Sequence, residues 1–231
     1  MPEFAKRMEY MAASADVIRG LFSAMTDPQT ISFGGGAPAT EALPVEEIHA
    51  LANEVLTREA RGCEALQYGA PAGLKQLREI VADKLLAPKG VDARADDIII
   101  VNGGLETMNL LCQVFINPGD VILVESPTFV HCVEIFEMFE ARCVGCRMDD
   151  FGLVMEDVEE KIRKFHPKMV YVIPTFQNPT GKTLPAARRR KLAELGSAYD
   201  VLILEDDPYR DLRYSGEELK PIKAYDKIGR A

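Results

Sequence analysis

Polar, aromatic and glycine residues follow each of four short apolar runs in this chain. The runs span residues 98–101, 121–124, 169–173 and 201–204. In open α/β sheets, ligands gather beyond the carboxyl ends of the strands, so the residues after each run are the first candidates for chemistry. Those with suitable side chains or backbone are Gly103, Gly104, Phe129, Asn178, Asp206 and Tyr209.

Gly103 and Gly104 lead directly into a helical pattern. A glycine turn at a helix N-terminus offers free amide groups and a favourable dipole to a phosphate. Glycines after a strand are also ordinary turn residues, and this segment is not GxGxxG, so it gives weak support to a dinucleotide site. The segment 177–181, Gln-Asn-Pro-Thr-Gly, is likewise good turn chemistry by itself.

The remaining candidates suit a flat, charged ring. Phe129 can stack on a heteroaromatic ring, Asp206 can keep a ring nitrogen protonated, and Asn178 and Tyr209 can donate to a phenolate oxygen. Pyridoxal phosphate imposes these needs, because its protonated pyridine is the electron sink for carbanions. The combination favours a pyridoxal-phosphate site. Taken singly, each residue has a structural interpretation as a helix cap, a turn residue or a core side chain.

The elements that must position these residues form an α/β pattern. Continuous, β-branched runs are typical of strands covered on both faces, and helical patterns lie between them. We therefore predict a mostly parallel sheet with helices on both faces. A helix is expected from Pro185, with Thr183 as its cap, and the basic run 188–191 is expected to be a solvated helix surface.

The chain divides into two parts in this interpretation. Residues 1–43 are expected to form an N-terminal helix, around 13–25, and an extended glycine-rich arm. Residues 44–231 are expected to form the ligand-binding domain.

Composition excludes several classes of function. The 231 residues carry a net charge of −9, whereas a nucleic-acid binder needs clustered Lys and Arg. The apolar runs are far shorter than a membrane span requires, and charged residues near the N-terminus argue against a signal peptide. Five cysteines fit reduced thiols in the cytoplasm. Cys143 and Cys146 have CxxC spacing, but residues i and i+3 of a strand face opposite ways, so no metal site is expected.

Six motifs occur together in the order and spacing of one enzyme family. By these motifs the chain resembles the fold-type I, class I/II pyridoxal-phosphate aminotransferases. Within them it is most similar to the branch of 2-aminoadipate aminotransferases and the effector domains of MocR-type regulators. The motifs are Ile31-Ser-Phe-Gly-Gly-Gly-Ala-Pro38, Leu66-Gln-Tyr-Gly69 with Gly73 and Leu77-Arg-Glu79, Pro118-Gly-Asp120, Pro127-Thr-Phe129, Gln177-Asn-Pro-Thr-Gly181 and Glu205-Asp-Asp-Pro-Tyr209.

The resemblance implies a role for each candidate residue. Backbone amides of Gly103, Gly104 and Leu105 would hold the cofactor phosphate, and Tyr68 would reach the phosphate of the neighbouring subunit in a homodimer. It also implies that Phe129 stacks on the pyridine, Asn178 and Tyr209 bond its phenolic oxygen, and Asp206 bonds its ring nitrogen. Gly35 and Gly36 would line the substrate carboxylate end, and Arg19 would approach a substrate side chain.

The sequence departs from the family pattern in three places. The branch usually has Gly-Ser-Gln-Gln where this chain has Gly103-Gly104-Leu105-Glu106, so the charge of Glu106 would weaken phosphate binding unless it points away. Phe129 replaces the commoner tyrosine. The Schiff-base lysine is expected about ten residues beyond Ala231, with the substrate-binding arginine further on, so we expect an N-terminal fragment that is inactive alone.

The expected function is therefore amino-group transfer between an amino acid and a 2-oxo acid by a ping-pong reaction in the whole enzyme. Three alternatives stay open: another fold-type I enzyme, such as a lyase, decarboxylase or racemase; a non-catalytic module that binds the cofactor or dimerises; and a nucleotide-binding α/β domain.

Overall fold

A computed structural model of the chain describes residues 3, 5, 7–8, 20, 29–31, 36, 38–59, 61–229 and 231. Its strands are β1 (Val121–Glu125), β2 (Arg142–Cys146), β3 (Met148–Asp149), β4 (Gly152–Leu153), β5 (Met169–Val172) and β6 (Leu202–Glu205). Four of them form one parallel sheet in the order β2-β1-β5-β6, and β3 pairs with β4 in an antiparallel ribbon. The predicted parallel sheet is confirmed.

Helices precede the sheet and then alternate with its strands. They are α1 (Val45–Val55), α2 (Gly62–Ala65), α3 (Lys75–Ile80), α4 (Gly104–Phe115), α5 (Val130–Met138), α6 (Met155–Phe165) and α7 (Ala186–Tyr199). A π-helical segment, Val81–Leu86, continues α3, and 3-10 turns lie at Thr40–Ala42, Ala87–Lys89, Ala95–Asp97 and Ile222–Tyr225. No helix among these described residues is both long and apolar enough to cross a membrane.

The sheet is buried on both faces, which explains the continuous apolar runs. Successive residues of a strand face opposite sides, so Ile122 joins one apolar cluster and Leu123 the other. The first cluster packs under α4 and α5, and the second packs under α6 and α7. Cys143 and Cys146 of β2 contact different clusters, so the prediction that they face opposite ways is confirmed.

The prediction of a strand at residues 98–101 is wrong. The backbone at Ile98 is extended, with φ −119° and ψ 133°, but the segment joins no sheet among the described residues. Its neighbour is a loop, since the amide of Ile100 donates to the carbonyl oxygen of Ala72 at 3.0 Å. Apolarity predicts extended backbone here, but it does not supply a strand for this segment to pair with.

Two expectations around α7 are also wrong. Arg189, in the basic run expected to be solvated, is fully buried, and its guanidinium donates to the carbonyl oxygens of Leu184 (2.8 Å) and Pro174 (2.8 Å). Thr183 does not cap α7, because its Oγ1 accepts a hydrogen bond from the Phe176 amide at 3.2 Å and the helix follows Pro185. Both side chains instead form hydrogen bonds with the backbone of the loop before α7. The helix expected around 13–25 lies outside the described residues, apart from Gly20.

Candidate active site

Asn178 and Tyr209 lie side by side beyond the carboxyl ends of β5 and β6. The Asn178 Nδ2 atom donates to the Tyr209 hydroxyl oxygen at 3.2 Å, and both residues are half-buried. They line a cavity of about 460 Å3 together with apolar side chains that include Phe176 and Leu212. Two residues that stand far apart in the sequence thus form one polar pair beside an apolar wall.

Asp206 directly follows β6 and is held by hydrogen bonds to β5. Its amide donates to the carbonyl oxygen of Val172 at 2.9 Å, and its Oδ2 accepts from the Tyr171 hydroxyl at 2.8 Å. Burial raises the pKa of Asp206 above its ordinary value, the Tyr171 hydrogen bond lowers it in part, and the neighbouring charge of Asp207 raises it again. The carboxyl group is therefore fixed in place at the end of the sheet.

Phe129 lies on the same face of the sheet. It precedes the first residue of α5 and packs against the apolar cluster that Tyr209 also contacts. Its ring meets the His131 ring edge-on, with centroids 5.2 Å apart and an interplanar angle of 81°. An aromatic face, a carboxyl group and an amide–phenol pair thus belong to one side of the sheet.

The Gly103–Gly104 turn forms the N-terminus of α4. Gly103 has φ 97° and ψ 167°, a conformation essentially restricted to glycine, and a Cβ at either glycine would meet no atom within 4 Å. The first-turn amides of a helix have no acceptor inside the helix, so they remain available to an anion. The Glu106 carboxylate folds back and accepts a hydrogen bond from the Asn102 amide.

The other proposed residues stand apart from this group or lie outside the described residues. The side chain of Tyr68 is completely exposed and lines a different cavity, of about 640 Å3, formed by segments between residues 55 and 75. Gly36 has a positive φ of 61°. Gly35 and Arg19 are outside the described residues.

A buried carboxylic acid, Glu125, was given no role by the sequence. It ends β1 and is only 2% exposed, and its Oε2 accepts from the Ile173 amide at 3.0 Å and from Gln177 Nε2 at 3.1 Å. Burial raises the pKa of Glu125 to about 7, even though both hydrogen bonds act to lower it. A charged residue that ends a buried apolar run was the signal in the sequence, because such a group must find partners.

Gln177 joins the two loops that carry Phe129 and Asn178. Its Nε2 donates to the carbonyl oxygen of Pro127 at 2.9 Å, in addition to Glu125. Its Oε1 accepts from the amide (2.9 Å) and the hydroxyl (2.6 Å) of Thr180. The amide is buried and satisfied on both of its ends, so it fixes the spacing of the two loops.

These groups fit a flat heteroaromatic ring that carries a phosphate. The glycine turn leaves space and free amides where a Cβ would otherwise stand. The Asn178–Tyr209 pair offers hydrogen bonds to a ring oxygen, and the Asp206 carboxyl offers an acceptor to a ring nitrogen. The chemistry of the donor set therefore suits pyridoxal phosphate.

Comparison with known proteins gives consistent matches along the chain. The model of the family "Aminotransferase class I and II" matches residues 28–228. Aromatic-amino-acid aminotransferase 1 of Thermococcus litoralis is 41% identical over 225 residues, which are 95% of this chain and 54% of that protein. The 2-aminoadipate transaminase of Thermus thermophilus is 32% identical over 207 residues, or 90% of this chain and 50% of that protein.

A solved structure agrees with the fold. The crystal structure of kynurenine aminotransferase from Pyrococcus horikoshii, in complex with PMP, superposes with a TM-score of 0.90 at 39% identity, over 98% of this chain and 56% of that one. The fold class predicted from the sequence is confirmed by this match. The chain spans about half the length of the curated relatives it matches.

Proposed function

This chain belongs to the class I and II aminotransferase family, and we propose that it forms the cofactor-binding part of a pyridoxal-phosphate-dependent aminotransferase. The observation that carries the proposal is the Asn178–Tyr209 hydrogen bond beyond the carboxyl ends of β5 and β6, where Asp206 also lies. When bound, pyridoxal phosphate supplies a protonated ring that accepts electrons from a carbanion.

Each residue has a defined task in this proposal. Asn178 already donates to the Tyr209 oxygen, which leaves the Tyr209 proton free to be donated to the phenolic oxygen of the ligand. Asp206 accepts a hydrogen bond from the ring nitrogen and stabilises its proton. Phe129 covers one face of the ring, and the amides of Gly103, Gly104 and Leu105 hold the phosphate.

The proposal extends to the whole protein. Amino-group exchange takes place there between an amino acid and a 2-oxo acid, within a cytoplasmic, biosynthetic homodimer in which Tyr68 reaches the phosphate of the partner subunit. The full exposure of the Tyr68 ring supports this role, because the side chain is accessible to another subunit. Residues 1–43 then form the N-terminal helix and arm, and residues 44–231 form the large domain.

Titration with pyridoxal phosphate, followed by equilibrium dialysis, tests the site. Wild-type chain is expected to bind saturably, and Asp206→Asn is expected to bind at least about tenfold more weakly because a charge-assisted hydrogen bond is lost. Asp211→Asn, an exposed carboxylate a few residues away, is the matched control and should bind like wild type. Equal binding by Asp206→Asn and wild type would contradict the assigned site.

The reaction type needs the whole protein and a panel of donors. Aromatic amino acids, kynurenine and 2-aminoadipate belong in the panel, since relatives are named for them. Stoichiometric appearance of a new amino acid from an added 2-oxo acid supports transamination. Release of carbon dioxide, elimination products or the D-enantiomer would point to a decarboxylase, a lyase or a racemase. Binding without any turnover would point to a non-catalytic module.

A further inference from the structure

Tyr171 is a polar residue in the most deeply buried strand of the sheet. Its side chain is fully buried, and its ring meets Phe136 edge-on, with centroids 5.6 Å apart. The aromatic ring makes this packing contact without help from the hydroxyl group. The hydroxyl instead donates a hydrogen bond to Asp206 Oδ2 at 2.8 Å. A buried hydroxyl that contacts a candidate ligand-binding carboxyl group therefore calls for a functional explanation.

We propose that Tyr171 is a positioning residue for the cofactor: its hydroxyl holds the Asp206 carboxylate in the orientation and ionised form that accept a hydrogen bond from the ring nitrogen. The inference rests on the proposed function. Tyr171 engages one carboxylate oxygen, Oδ2, so the second oxygen, Oδ1, is left for the ligand. Tyr171 itself does not touch the ligand in this arrangement.

The groups around Asp206 show why such a donor matters. Burial raises the pKa of Asp206, the Tyr171 hydrogen bond lowers it, and Asp207 raises it. Two further titratable groups face this region, Glu125 at the end of β1 and Cys132 on α5, and the charge of Asp206 raises the pKa of each. In these surroundings Tyr171 supplies the interaction that favours the carboxylate form.

The hydroxyl remains a donor throughout the physiological range. The pKa of Tyr171 is raised well above its ordinary value, mainly by burial and further by the neighbouring Cys132 and Asp206. The proton therefore stays on the tyrosine oxygen. The hydrogen bond is therefore present at every pH at which a cytoplasmic enzyme works.

Tyr171→Phe deletes one oxygen atom and keeps the ring contact with Phe136. We expect its affinity for pyridoxal phosphate at neutral pH to fall about tenfold, the lower end of the effect of a hydrogen bond to a charged group. The acid limb of the affinity–pH profile should also move to higher pH, because Asp206 is then protonated more readily. Equilibrium dialysis between pH 5 and 9 measures both quantities without any turnover.

Tyr199→Phe is the matched control. Its hydroxyl also bonds a carboxylate, Glu159 Oε1 at 2.9 Å, but it lies on α7 away from the site. This variant should keep both the affinity and the pH profile of wild type. Tyr171→Phe added to Asp206→Asn should cause no further loss, since the carboxylate that it acts on is gone.

The outcomes separate the inference from the function on which it rests. If Asp206→Asn weakens binding and Tyr171→Phe leaves affinity and pH profile unchanged, the role of Tyr171 is overturned while the site stands. If Asp206→Asn also binds like wild type, the proposed site itself fails. If Tyr199→Phe moves the profile as much as Tyr171→Phe, the effect is general and the positioning role is rejected.

Discussion

The Gln177 Nε2 atom lies 3.1 Å from Oε2 of Glu125 and 2.9 Å from the carbonyl oxygen of Pro127. Through one amide group, the end of β1, the loop before α5 and the loop after β5 are tied together. The residues proposed to grip the ligand, Phe129 and Asn178, stand on the two loops that this amide connects. Their spacing therefore depends on a buried amide that is not itself among the proposed ligand contacts.

Replacing Gln177 by leucine should damage both the fold and the site. The substitution removes the donor to the Pro127 carbonyl oxygen, the acceptor of the Thr180 amide and hydroxyl, and one of the two donors to Glu125 Oε2. We expect a loss of about 2–3 kcal/mol in the free energy of unfolding. Urea denaturation measures it, and dialysis should show weaker binding of pyridoxal phosphate. Gln113→Leu, at an exposed position of α4, should change neither quantity appreciably. Equal stability of the two variants would count against this role of Gln177.

Glu125 predicts a specific dependence of stability on pH. Its pKa is raised to about 7 in the folded protein from 4.5, so between these values the folded state holds a proton that the unfolded state releases. The contribution of Glu125 to the free energy of unfolding is full below about pH 4.5. It falls by about 3 kcal/mol as the pH rises to 7, and is constant above that.

Glu125→Gln should remove this slope. Urea titrations of wild type and variant from pH 4.5 to 8 measure it as the difference between the two stability curves, which cancels the titration of other groups. Glu160→Gln, at an exposed position of α6, should run parallel to wild type. Parallel curves for Glu125→Gln as well would show that Glu125 titrates normally.

The two glycines of the turn before α4 should respond differently to alanine. Gly103 has φ 97° and ψ 167°, so Gly103→Ala should cost about 1–3 kcal/mol of stability and weaken phosphate binding by distorting the turn. Gly104 is a helical residue with open space at its Cβ position, so Gly104→Ala should leave stability within about 1 kcal/mol of wild type. Thermal denaturation compares the pair, and an equal loss in both variants would contradict the conformational argument.

Arg189 should behave as a structural cation despite its place in a basic run. Arg189→Met leaves the carbonyl oxygen of Leu184 without its donor and removes one of the two donors to the carbonyl oxygen of Pro174, which keeps the Leu184 amide at 2.8 Å. We expect a loss of about 2 kcal/mol or more in the free energy of unfolding. Arg190→Met, on the exposed side of the same helix, removes a stacking contact with Tyr225 and should cost less than about 1 kcal/mol. Chemical denaturation would disprove the assignment if the order were reversed.

The sheet was predictable because a strand that is buried on both faces is a short, continuous run of apolar residues in the sequence. Each of the runs at 121–124, 169–173 and 201–204 needs only its own side chains to indicate a covered strand, and each became β1, β5 or β6. The run at 98–101 is equally apolar, but it pairs with no strand among the described residues. Pairing depends on segments elsewhere in the chain, which the run itself does not reveal.

The sequence gives a weaker indication of the buried side chains that support the site and its loops. Tyr171 reads as one more large residue in an apolar run, and its partner Asp206 lies 35 positions away. Arg189 reads as one charge among four. Whether a polar side chain is buried, and what then satisfies it, depends on tertiary neighbours that residue spacing does not reveal. The candidate ligand contacts Asn178 and Tyr209 were predictable from their places after two apolar runs and from the motifs that contain them, but their 3.2 Å separation is known only from the structure.

The strand order β2-β1-β5-β6 has a consequence for how the site comes into existence. Phe129, Asn178 and Asp206 follow three adjacent strands, and no one strand–helix unit carries more than part of the binding surface. Occupancy by a ligand is thus thermodynamically coupled to both pairings that join these strands, β1 with β5 and β5 with β6. A ligand at a hundred times its dissociation constant would raise the free energy of unfolding by about 2.7 kcal/mol. Bound cofactor would therefore stabilise the folded sheet in addition to its chemical role.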